Sequence, residues 1–71
     1  MKEYLINLFW DDEASVWCAV CDEIPIALES ESLDLLIERV RIATPEILEL
    51  NENNSENPML RFKAERLLPA I

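Results

Sequence analysis

Residues 2–10, KEYLINLFW, are apolar throughout their interior except at Asn7. Tyr, Leu, Ile, Phe and Trp fill the remaining positions after Lys2 and Glu3, and this enrichment predicts a β-strand. The polar group DDEAS, residues 11–15, interrupts the run, and VWCAVC, residues 16–21, resumes it at strand length. Two such runs around a short polar break predict a β-hairpin with a loop of about five residues. Pro25 ends the second strand or forces an edge position after it, because proline has no N–H for a sheet ladder. IPIAL, residues 24–28, reads as a short third strand.

The spacing of apolar positions then changes. Leu33, Leu36, Ile37, Val40, Ala43 and Ile47 recur every three or four residues, with Glu38, Arg39 and Arg41 on the other side. That period predicts an amphipathic helix over residues 32–50. Ser30 or Ser32 can cap its start, and Asp34 falls in the first turn, where the helix dipole favours an acid. Thr44 and Pro45 interrupt the pattern. Thr44 can cap a second short helix with Pro45 at its first position, or one helix can kink at Pro45. NENNSEN, residues 51–57, is a wholly polar loop.

The tail PMLRFKAERLLPAI has two readings. Leu60, Phe62 and Ala64 alternate with Arg61, Lys63 and Glu65, a strand pattern with one solvated face. Asn57 and Pro58 can instead start a helix with Leu60, Ala64 and Leu67 on one side. The strand is preferred, which gives the order β-β-β-α-β. The expectation is an α+β fold, a mainly antiparallel sheet packed on one helix.

At 71 residues the chain is expected to form a single domain over residues 1–71. A domain of this size buries only about 60% of the surface its unfolded chain exposes. Yet 51% of the residues are hydrophobic. The second strand is apolar on both faces: Trp17, Ala19 and Cys21 on one, Val16, Cys18 and Val20 on the other. The helix can cover one face. A second copy or a partner must cover the other, so a homodimer is expected.

Fifteen acids against six bases give a net charge of −9. Such a surface repels a phosphate backbone, so direct nucleic-acid binding is not expected. It suits a basic protein partner, because opposite charge speeds encounter. The start, MKEYLINLFWDDE, has no secretory pattern, and no run reaches the roughly 20 apolar residues of a membrane span. A cytoplasmic protein with reduced cysteines and no membrane partner is expected. Glycine is absent, which excludes Gly-rich phosphate loops; turns that need positive φ are expected to use Asn or Asp.

Three constellations carry candidate chemistry. Cys18 and Cys21 form a C-x-x-C, but redox pairs of this kind sit at a helix N-terminus. On a strand, residues three apart face opposite ways, which keeps the two sulfurs from sharing a bond or a metal. Asp11, Asp12, Glu13, Asp22 and Glu23 are oxygen donors suited to a divalent cation, and a metal-dependent nuclease is one reading of them. A turn accounts for Asp11, Asp12 and Glu13 more simply. With no histidine, Ser-His-Asp and Cys-His sets cannot form. No catalytic residue, metal or cofactor is therefore expected. Trp10 and Trp17 flank the turn and can pair across it. With Asp11, Asp12 and Glu13 they make the candidate interface, since large aromatics anchor interfaces as well as cores.

The stretch WDDEASVW, the strand WCAVCDEIP and the helix opening ESLDLLIERV together resemble the HicB-like antitoxin superfamily, over roughly residues 3–50. The short standalone members of unknown function, which share the HicB N-terminal domain, are the nearest in pattern. The resemblance implies a partial RNase H-like fold without the catalytic acids of that enzyme. It also implies a protein-binding role, in which the domain masks the active site of a small basic ribonuclease toxin. Many such relatives carry Gly after the proline, where this chain has Ile26. Full HicB proteins continue into a DNA-binding domain, and no separate DNA-binding domain is expected within residues 1–71. The alternative expectation is an oligomerising or scaffold domain with no toxin partner.

Overall fold

The structure, a computed structural model, describes residues 2–50 and 58–71. The elements follow in the order β1 (Glu3–Asp11), β2 (Val16–Val20), β3 (Ala27–Ser30), α1 (Leu33–Leu50) and β4 (Met59–Glu65). The four strands form one sheet in the order β3-β2-β1-β4. β1 pairs antiparallel with β2, and β2 antiparallel with β3. β4 lies parallel to β1 on the far edge, so the sheet is mixed. The expected α+β class and element order hold, and the tail takes the strand conformation.

Alternation in β1 sends Tyr4, Ile6 and Leu8 inward, all buried. Their partners Ala19 on β2, and Leu60 and Phe62 on β4, share that face. The helix lies over β2 and β3 and closes the core with Leu36, Val40, Thr44 and Leu48. These four recur every fourth residue, a single stripe along one helix face. Fully burying Ile6, Leu8, Leu36 and Val40 contributes about 1.5–3 kcal/mol each. Ser32 caps the helix: its Oγ accepts the Leu35 N–H at 3.3 Å, and its carbonyl accepts the Leu36 N–H at 3.0 Å.

Three expectations are corrected, and the two readings of the helix at Pro45 are decided. The third strand is Ala27–Ser30, not residues 24–28. Ile24 and Ile26 are core residues placed by a tight turn before it, where the Ile26 N–H bonds the Ile24 carbonyl at 2.8 Å. The second strand ends at Val20, so Cys21 lies just beyond it. Of the two readings at Pro45 the single helix holds and Thr44 is no cap: α1 runs through Pro45. Proline takes one intrahelical donor away, but Val40, Thr44 and Leu48 keep the same stripe packed on both sides of it. The buried Thr44 hydroxyl donates to the Val40 carbonyl at 2.7 Å and is thereby satisfied. Lastly, the positive φ in the hairpin turn, 55°, belongs to Ser15 rather than to Asn or Asp. The polar loop expected at residues 51–57 lies outside the described residues.

Candidate partner-binding surfaces

The hairpin joins three of the five candidate interface residues, Trp10, Trp17 and Asp12, into one connected arrangement. Trp10 and Trp17 are directly opposed in the β1–β2 register. Their rings meet edge-on, with centroids 5.7 Å apart and planes at 70°. That is the geometry the ring quadrupoles favour. The Trp10 indole N–H donates to the Asp12 carboxylate at 2.7 Å. Asp11 serves the turn: its Oδ1 accepts the backbone N–H groups of Glu13 at 3.0 Å and Ala14 at 3.3 Å. Glu13 is exposed in the turn itself. Two of the three acids therefore have local structural partners.

The residues flag no partner for this aromatic pair, but the fold supplies one. The Arg66 guanidinium carbon stands 4.1 Å from the Trp10 ring centre and 6.0 Å from that of Trp17. Parallel pairing sets Glu65 opposite Phe9, which carries the next residue, Arg66, to the hairpin end. Only the β1–β4 register predicts this contact, and local spacing does not encode that register.

The face of the sheet away from the helix carries apolar residues around Asn7, with Arg61, Lys63 and Glu65 along its β4 edge. Leu5 and Phe9 on β1 and Val20 on β2 remain 44%, 43% and 36% exposed, values high enough to leave a face for a partner. Cys18, opposite Phe9 and Glu29, sits on this side and is half-buried. Burial, aided by the Asp11 and Glu29 charges, pushes its thiol above the ordinary range. Cys21 packs against the core instead, and both thiols are free. On the helix side, a cleft of about 340 Å³ opens between α1 and β4, lined by Thr44, Pro45, Leu60 and Phe62 among others. Among the described residues, no three His, Cys, Asp or Glu side chains converge on a common point. Nor is any described helix long and apolar enough to cross a membrane.

All six basic side chains of the chain are engaged within the domain. Lys2 pairs with Glu23 at 3.1 Å, Arg41 with Glu38 at 2.6 Å, and Lys63 with Glu65 at 3.3 Å. Arg61 grips Glu3 with two bonds, at 2.8 and 3.1 Å. Arg39 donates to the Glu29 carbonyl at 2.6 Å, and Arg66 covers Trp10. Among the described residues, Glu13 in the turn and Asp34, Glu46 and Glu49 on the helix carry no ion pair. Thirteen of the fifteen acids lie among the described residues, against six bases.

The model of the family called Domain of unknown function (DUF1902) matches residues 3–69. The chain belongs to that family. Among solved structures, this DUF1902 chain is similar to the hypothetical protein TTHA1013 from the extremely thermophilic bacterium Thermus thermophilus. The two are 31% identical with a TM-score of 0.75, and the match covers 99% of each chain. No curated protein matches.

Proposed function

We propose that this DUF1902 domain is a non-catalytic binding module, antitoxin-like in role, that docks on a small basic ribonuclease and masks its active site. The supporting observation is the asymmetry of its charge. Every base is spent on an internal contact, while acids on the hairpin turn and the outer helix face are left to a partner. Such a surface gathers a cationic protein by long-range attraction and repels polynucleotide. The resemblance of residues 3–50 to HicB-like antitoxins points to the same class of partner.

Co-expression with a small basic ribonuclease encoded beside it tests the proposal. Growth should be rescued, and the purified complex should weaken as salt is raised. A ribonuclease whose activity is untouched by excess domain would dispose of the idea. A second reading, a self-associating domain, is supported by a separate feature: the exposed Leu5, Phe9 and Val20 on the open sheet face.

A further inference from the structure

Beyond β4 the chain continues through residues 66–71, RLLPAI. Leu67 is 99% exposed and Leu68 61% exposed, more than any apolar residue on the sheet. The molecule measures 47 Å along its longest axis but only 20 and 18 Å across. Thirteen residues from 59 to 71 span about 43 Å when extended at ~3.3 Å each. An extended run of that length matches the long axis, and residues 66–71 follow the end of β4 at Glu65. Arg66, held over Trp10, anchors the root of this arm at the hairpin end.

The same chain therefore presents an exposed apolar arm at Leu67, Leu68 and Ile71 and an exposed apolar patch at Leu5, Phe9 and Val20 of its sheet. Six extended residues reach about 20 Å, and a four-stranded sheet with strands ~4.8 Å apart is roughly 15–20 Å wide. The arm is long enough to cross the face. Charge agrees. Residues 1–65 carry 15 acids and 5 bases, whereas residues 66–71 carry no acid and one base. The arm brings no acidic side chain to a second acidic body. Reciprocal exchange across a two-fold axis buries two arms and two faces at once, toward the ~1,200–2,000 Å² of a stable interface.

We infer that two copies of this chain associate by arm exchange, the 67–71 segment of each lying across Leu5, Phe9, Cys18 and Val20 of the other. This rests on the self-association reading above and names its mechanism. Sedimentation equilibrium on four full-length or near-full-length proteins tests it, with circular dichroism to establish that each is folded. The parent chain should be a dimer. A chain lacking residues 67–71, the double variant Leu67→Asp/Leu68→Asp and the face variant Phe9→Asp should each run at half that mass. Mixing Phe9→Asp with the arm-less chain should restore a one-to-one pair, because one intact arm then meets one intact face. A parent chain that stays monomeric well above micromolar concentration overturns both self-association and arm exchange. Arm-less and Leu67→Asp/Leu68→Asp chains that dimerise as tightly as the parent overturn arm exchange alone. A mixture that does not pair, from chains that are each folded, assigns the contact to stacked faces and likewise overturns the arm.

Discussion

The Arg66 guanidinium lies over the face of Trp10 at 4.1 Å, although 56 positions separate the two residues in the chain. A cation at that distance is attracted by the negative face of the ring. The contact ties the last strand to the tip of the first hairpin and leaves the indole edge to Asp12. Arg66→Ala should lower stability by about 0.5–1 kcal/mol, the value of an exposed cation–π pair. It should also shift the tryptophan emission. Arg66→Lys should recover part of both. Urea unfolding followed by fluorescence reads the two effects together, and an Arg66→Ala protein with parental emission and midpoint would remove the contact from the account.

The hairpin turn rests on Asp11 and Ser15. Asp11→Ala strips the acceptor from two backbone N–H groups in the turn. The expected loss is about 1 kcal/mol, since solvent replaces part of what is lost at an exposed site. Ser15 adopts φ 55°, a region that penalises any residue with a Cβ. Ser15→Gly should be neutral within about 0.5 kcal/mol, because relief of strain offsets the added freedom of the unfolded chain. Ser15→Val should cost about 1–2 kcal/mol. Thermal unfolding of the three variants gives the ranking, and a Ser15→Val protein as stable as its parent would contradict the turn geometry.

Stability should fall on the acid side partly through Glu3. Its bonds to Arg61, and then the Arg61 charge, hold its carboxyl below the ordinary value of 4.5. The folded state therefore takes up this proton less readily than the unfolded state. The contribution is fully present above the unfolded value and is lost as pH falls through the lowered folded one. Both groups are exposed, so the effect is modest and salt should flatten it. Glu3→Gln should lose stability near about pH 7 and show a shallower decline toward about pH 3. Urea midpoints across that range measure it. Parallel acid limbs in parent and Glu3→Gln would show that Glu3 has no part in the dependence.

Much of the local architecture is legible in the residues. The break at Asp11, Asp12 and Glu13 between two apolar runs marks the hairpin, and the Trp10–Trp17 pairing follows from it. Those features repeat every two residues or close within one turn. The helix from Leu33 shows in its three- and four-residue spacing. Whether it passes through Pro45 or restarts there is left open, because a proline breaks the local pattern. What carries the helix onward is burial of Thr44 and Leu48 against the sheet, which outweighs one lost donor. The third strand is misplaced for a related reason. Ile24 and Ile26 look like strand positions, yet they are buried by a turn that brings them beneath the helix.

By itself, then, the sequence determined the hairpin, the helix, the α+β order and the acidic surplus, all of which reside in composition or in short-range periodicity. The tertiary structure alone decided that β4 runs parallel to β1, which β1 residue faces which β4 residue, and that Arg66 meets Trp10. It alone decided, too, that all six bases find partners inside the domain and that residues 67–71 leave the sheet behind. Those outcomes depend on register between strands nearly sixty residues apart, where alternation leaves several pairings open. The burial of Tyr4, Ile6 and Leu8 against Leu60 and Phe62 selects one of them.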